Sequence, residues 1–226
     1  MSKLAIVAFI CAAPLPWPLR RWVFRTLCGF KIDKTAFISR FALMLPSRLE
    51  VGPRAFVGPF TVCKGLSLLR IEDWGFIGPF NWITAFPIGT MSRHFELDPN
   101  RKPHLVVEQH GAITNRHIID CTDKVTIGAF SILAGFRSQI LTHSIDLKES
   151  RQRCRPVHIG HHCFVGTGCV LLAGSALPDC SVLGAHSLLT SCHDTPGYIY
   201  GGVPAKPIKP VESGANYFSR QTGYVL

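Results

Sequence analysis

A repeat of six residues constrains this chain more than any other feature. From Ile159 onward the sequence divides into IGHHCF, VGTGCV, LLAGSA, LPDCSV, LGAHSL and LTSCHD. Ile159, Val165, Leu171, Leu177, Leu183 and Leu189 lead successive blocks, and Gly160, Gly166 and Gly184 follow three of them. Amphipathic helices repeat at about 3.6 residues and strands at about 2, so neither accounts for this spacing. A short strand followed by a turn does. Each repeat supplies one inward aliphatic side chain and then turns through small or polar residues, and repeats stack because no single one can bury its own apolar face. The spacing predicts a parallel β-solenoid.

The same spacing returns earlier in weaker form, at Leu45, Val51, Val57 and Cys63, at Ile71, Ile77 and Ile83, and at Ile127 and Leu133. Between these blocks the register breaks, which predicts excursions from the solenoid, the largest near 86–104 and 144–156. Loops that leave a regular scaffold are where function concentrates. The coil domain is expected over 31–210, between an N-terminal segment 1–30 and a C-terminal tail 211–226.

The N-terminal segment opens with LAIVAFICAA (4–13), an apolar run too short to span a bilayer. Pro14, Pro16 and Pro18 argue against a signal-peptide cleavage site there. Trp17, Leu19, Trp22, Val23, Phe24 and Leu27 then alternate with Arg20, Arg21 and Arg25, the pattern of a basic amphipathic helix. Such a helix lies in a lipid headgroup layer or packs on the body of the protein. Both readings stay open; both imply a cytoplasmic protein, and the first puts it on the inner face of the cytoplasmic membrane.

Nine cysteines without a CxxC pair, with Cys63, Cys163 and Cys169 inside apolar runs, read as reduced thiols acting as small hydrophobes. A formal net charge of +10 calls for an anionic partner: a phosphorylated cofactor, an acidic membrane surface or nucleic acid. The basic residues are scattered and form no recognised motif, which speaks against nucleic acid.

Four segments carry a resemblance: VTIGAFSILAG (125–135), SQILTHSID (138–146), PVHIGHHCFVGTGCVLLAGSALPDCSVLGAHSLLTS (156–191) and GGVPAKPIK (201–209). Over about residues 31–210 the chain resembles the hexapeptide-repeat O-acetyltransferases of maltose, galactoside and bacterial surface-polysaccharide acetylation. The resemblance implies an all-β, left-handed parallel β-helix with three hexapeptides per turn, assembled as a homotrimer with active sites between subunits. It also implies acetyl-CoA as cosubstrate, a sugar or glycan hydroxyl as acceptor, and no metal.

His143, in THSID, matches the family's catalytic histidine. A hydroxyl is a weak nucleophile near neutral pH, and a neutral imidazole, with an ordinary pKa of about 6.5, suits the task of taking its proton. The tetrahedral oxyanion of such a transfer needs donors, most simply a backbone N–H or Ser138 from the adjoining turn. The resemblance sets ITNRHIID, with Asn115, Arg116, His117 and Asp120, on the coil before His143, to bind acceptor hydroxyls or to orient His143.

Positions that line the family's CoA groove match Phe164, Thr167, Ala185, Thr190 and Lys206, the last as a point charge for the nucleotide phosphates. Two residues depart from the family pattern. Phe164 stands where several members carry Trp, and Ser191 where they often carry Lys, which removes a phosphate contact. Two alternatives stand beside this reading. One is an acetyltransferase for a small molecule such as an antibiotic or an amino sugar. The other is a zinc solenoid of the γ-carbonic-anhydrase kind, which needs three converging histidines that the spacing of His158, His161, His162, His186 and His193 does not supply.

Overall fold

The computed structural model describes residues 3–90 and 92–225; of the expected segments, residues 1–2, 91 and 226 lie outside the described residues. Inward aliphatic side chains set the architecture. Val51, Ile71, Val107, Ile127, Ile159 and Leu177 pair in parallel register along one interior ladder, and all are buried. Burying each such side chain is worth about 1.5–3 kcal/mol relative to leaving it in water.

Three sheets result. The first face has seven strands, from Lys31–Ile32 to Ala176–Leu177, and the third has seven, from Leu43–Leu45 to Leu188–Leu189. The second has nine, from Phe37–Ile38 to Lys206–Pro210. The chain passes from first face to second to third and back on each rung, so the solenoid read from spacing is a three-sided parallel β-helix. Spacing placed one early residue on the wrong side: Met44 faces inward and Leu45 outward. It also passed over Ile32, Ile38, Val107, Ile113 and Ile119, all buried. Strands of the first face carry two inward residues, as in Leu49 with Val51 and Leu69 with Ile71, which lengthens those rungs and breaks a simple count of six.

The glycines after the aliphatic residues have a packing cause. A Cβ at Gly58 would meet the backbone nitrogen of Pro79 at 2.6 Å, and one at Gly166 would meet that of Ala185 at 2.7 Å. The corners need left-handed backbone, and many non-glycine residues adopt it there. Between first and second faces Arg54, Trp74, His110, Phe130 and His162 have φ of 57°, 59°, 57°, 58° and 53°. Each such residue costs about 1–2 kcal/mol in isolation. Stacking supplies a compensation: successive ring centroids lie 5.9, 4.8 and 4.8 Å apart from Trp74 through His110 and Phe130 to His162.

Helix α1 (Lys3–Cys11) and helix α2 (Trp17–Thr26) close the N-terminal end of the coil. Phe9 stacks on Phe24 at 4.4 Å, and both are buried with Ile32 and Ile38 in the same core. Arg20, expected on a polar helix face, is instead buried and donates to the carbonyls of Ile38 (3.2 Å) and Ser39 (3.1 Å). It satisfies strand-end acceptors that a capped coil would otherwise bury unpaired. At the other end Tyr198–Gly201 and Lys206–Pro210 pair antiparallel, with Tyr200 and Ala205 closing the core. The tail returns along the coil: Tyr217 donates to the carbonyl of Cys163 (2.9 Å) and the Gly223 N–H to His110 Nδ1 (3.1 Å).

Two excursions leave from the corner between third and first faces. One runs from Thr84 to His104; the other is the hairpin of His143–Asp146 with Arg151–Cys154. Among the described residues no helix is long and apolar enough to cross a membrane.

Candidate active site

His143 begins the hairpin where the third-face strand Gln139–Leu141 ends, one rung above Asp120. Its Nδ1 lies 2.8 Å from Asp120 Oδ2. A carboxylate can only accept, so Nδ1 carries the proton and Nε2 keeps its lone pair. The imidazole is partly exposed and meets the Phe95 ring in a T-shaped contact at 5.8 Å between centroids.

Asp120 is buried and heavily bonded. Oδ1 accepts from Thr122 N (3.2 Å) and Oγ1 (2.6 Å), and Oδ2 from Thr142 N (2.9 Å) and Oγ1 (2.7 Å) besides His143. Burial alone would raise its pKa, but hydrogen bonds from His143, Thr122 and Thr142 outweigh it and hold the carboxyl below its ordinary value. The same bond to Asp120 raises His143, against the opposing effect of burial. The arrangement is a base with a fixed tautomer and an anion behind it.

The first excursion seals this corner. Arg101 donates to the carbonyls of Phe86 (2.7 Å), Thr122 (3.1 Å) and Pro87 (2.9 Å), and its guanidinium lies 5.0 Å from the Phe95 ring centre. Asp98 accepts from the Cys154 N–H (3.0 Å) and pairs with Arg153 (3.3 Å), tying excursion to hairpin. A cavity of about 550 Å³ opens between them, lined by Phe95, Leu97, Ile145 and Arg151 among others. Phe95, Arg101, Thr122 and Thr142 were not marked as site residues from sequence. The usable signal was the Thr two residues after Asp120 and the Thr immediately before His143, which share one corner once rungs are aligned.

Two residues expected at the acceptor site are interior. His117 and Ser138 are fully buried at the corner between second and third faces, in a polar column with Thr61 and Asn81. The Ser138 N–H donates to His117 Nδ1 (3.2 Å), so His117 Nε2 carries the proton and meets Thr114 Oγ1 at 2.9 Å. Ser138 Oγ accepts from the Cys169 N–H at 3.2 Å. Corner backbone groups are buried and need partners, and these side chains supply them, leaving neither for an acceptor or an oxyanion. Asn115 and Arg116 are exposed at the same corner, Arg116 over Phe80 at 5.5 Å. The third-face strand Ile118–Asp120 separates them from His143, so the ITNRHIID cluster divides into two corners, and its Asp120 bonds to His143.

The neutrality of His117 has a measurable consequence. Burial pushes its pKa down to about 4. An unfolded chain takes up this proton near pH ~6.5, so between these values the unfolded state binds more protons and stability falls as pH falls, by about 3 kcal/mol in all. Urea denaturation from about pH 7 to about pH 4 measures this. The wild type loses stability on acidification and His117→Gln loses that much less; equal slopes would contradict the buried neutral ring.

The residues matched to a CoA groove lie on several surfaces. Thr167 and the exposed Ala185 occupy consecutive rungs at the corner between second and third faces, with Thr167 Oγ1 donating to the Phe136 carbonyl at 2.9 Å. Exposed Lys206 pairs opposite Gly201 beyond them. Exposed Thr190 follows Leu188–Leu189 at the other edge of the third face. Phe164 faces out of the second face under Tyr217 at 5.9 Å. Among the described residues no three His, Cys, Asp or Glu side chains could hold a metal ion.

No family model matches the chain, and no curated protein matches it. Solved structures similar in form include AntD, an N-acyltransferase from Bacillus cereus, in complex with dTDP and coenzyme A: 15% identity, 80% of this chain and 84% of that one, TM-score 0.48. Another is the polysialic acid O-acetyltransferase OatWY, at 19% identity, 85% and 90% coverage, and TM-score 0.48. A third is a hexapeptide-repeat-containing acetyltransferase from Vibrio cholerae, at 18% identity, 94% and 96% coverage, and TM-score 0.47. Likeness at these levels is one of general outline and carries no chemistry.

Proposed function

We propose that this chain is an acetyl-CoA-dependent O-acetyltransferase acting on a sugar hydroxyl, with His143 as general base. The observation that carries the reading is the Asp120–His143 pair, which fixes the imidazole proton on Nδ1 and leaves Nε2 as acceptor at the corner where both excursions depart. Nε2 takes the hydroxyl proton as the oxygen attacks the thioester carbonyl carbon. The tetrahedral intermediate then expels the CoA thiolate, which receives the proton from the imidazolium. No acyl-enzyme forms. The motifs around THSID and GGVPAK support acetyl-CoA as donor, with Thr167, Ala185 and Lys206 along one side of the groove. Thiol release from acetyl-CoA on adding sugar acceptors tests the reaction class; no release with any hydroxyl acceptor would sink it.

Two features support a homotrimer that meets an anionic lipid surface. Several outward positions of the second and third faces are apolar, including Phe56, Phe76, Trp82 and Ile118, and exposed Phe41, Phe60 and Phe80 stack at 5.3 and 5.0 Å along the corner between them. Contiguous apolar surface of this kind needs a partner, and a rotational assembly of copies supplies one. The helical cap leaves Leu4, Val7, Ile10, Leu19 and Trp22 exposed beside Arg25, a composition suited to the inner face of the cytoplasmic membrane. Sedimentation tests both: a threefold mass in solution and co-sedimentation with anionic vesicles are expected, and a monomer left in the supernatant would remove both.

A further inference from the structure

The first face gathers cations: Lys31, Arg48 and Arg70 stand on its first strands. At its edge, where the chain arrives from the third face, stand Arg48, Lys102, Lys124 and Arg155. Strand register aligns their rungs: Arg48 pairs opposite Leu68 and Leu68 opposite His104, two residues after Lys102, while Leu49, Leu69, Leu105, Val125 and Val157 form the next step of the ladder, with Lys124 one residue and Arg155 two residues before it. Neighbouring rungs are about 4.8 Å apart, so the line extends about 19 Å. Arg70 and Lys31 project beside it on the face.

The anions in this region do not balance these cations. Glu50 is shared by Arg70 (2.8 Å), Arg48 (3.4 Å) and Lys31 (3.6 Å). Asp123 is engaged by the backbone N–H groups of Lys102 (3.0 Å) and Lys124 (2.8 Å). His104, in the middle of the line, is held below its ordinary pKa by burial and by Arg48, Lys102, Lys124 and Arg70. The line also ends at the reactive corner, where the Arg155 N–H donates to the carbonyl of Thr142 (2.9 Å), the residue before His143.

We propose that this line of cations binds the acceptor as an extended polyanion, an acidic glycan lying along the coil axis with one sugar unit at His143. The inference rests on the acyl-transfer reading and names the acceptor class for it. The rise between rungs is close to the length of a pyranose unit in an extended chain, so successive carboxylates can meet successive rungs. A neutral sugar has no use for the array. CoA is also anionic, but its matched positions Thr167, Ala185, Thr190 and Lys206 lie on rungs later than those of Arg48, Lys102 and Lys124, the first two at a different corner and only Thr190 at the edge of the cation line.

The test uses the full-length protein and the triple variant Arg48→Gln, Lys102→Gln, Lys124→Gln, with Arg48 and Lys102 exposed and Lys124 half-buried. The probes are oligogalacturonate and its methyl ester, the same chain without charge. Wild type is expected to bind the acid at low salt, with binding weakened on the order of tenfold or more by esterification, by the triple substitution or by raised salt. The KM for acetyl-CoA and the thermal transition of the variant stay unchanged. No binding of the acid by wild type, or equal binding by the variant, overturns the proposal. So does a variant that loses anionic phosphatidylglycerol vesicles while neither protein binds oligogalacturonate, which assigns the line to a bilayer. Absence of thiol release with every acceptor overturns acyl transfer and leaves the binding result standing.

Discussion

Replacing His143 with alanine leaves the coil folded and CoA bound while lowering turnover about a hundredfold or more, the usual contribution of a positioned general base. The imidazole is partly exposed at the start of a hairpin, outside the apolar core, so its loss opens no interior cavity. Steady-state thiol release gives the rate, and thermal denaturation with a CoA-binding titration gives the controls. A variant that turns over near the wild-type rate would end the assignment of His143 as base and leave the β-helix untouched.

Asp120→Asn is the second large effect, and it reads the orienting role directly. The carboxylate accepts from Thr122 N and Oγ1, Thr142 N and Oγ1, and His143 Nδ1. An asparagine must turn its NH2 toward one of these donor groups, which sets donor against donor at a buried site and costs about 2–3 kcal/mol. It also removes the anion that favours imidazolium. The base acts when neutral, and Asp120 raises His143, so the rising limb of the wild-type pH–rate profile is centred above the ordinary imidazole value of about 6.5. In the variant that limb moves to lower pH, while the plateau rate falls on the order of a hundredfold because the Nδ1 proton is no longer fixed. A lower plateau with an unmoved limb would make Asp120 a structural residue with no hold on the base. An unchanged plateau would remove it from the mechanism.

The sixfold spacing was legible where insertions are absent, from Ile159 to Leu189, and faded where they are present. Val107, Ile113 and Ile119 form a complete interior rung that spacing passed over, because the excursion after Thr84 interrupts the count. The site was half legible. His143 stood out through THSID, but its partner lies one rung away on another strand, and rungs differ in length, as the pairs Ile159↔Leu177 and Val51↔Ile71 show. No fixed offset leads from Asp120 to His143. The same limit explains His117 and Ser138. Side-chain alternation tells inside from outside along a strand, but at a corner the backbone turns through left-handed residues and alternation stops, so a polar residue there reads the same whether it faces water or completes a buried turn.

By itself, the sequence determined that the chain coils. A repeated aliphatic residue followed by a small one has few ways to bury its apolar side except by stacking strands on strands, and that follows from local pattern. Only the tertiary structure decided what the corners do. Stacking brought Asp120 under His143, turned His117 and Ser138 inward to satisfy buried backbone groups, and lined Arg48, Lys102, Lys124 and Arg155 along one edge. These are contacts between rungs, fixed by register and insertion length, and a one-dimensional period carries neither.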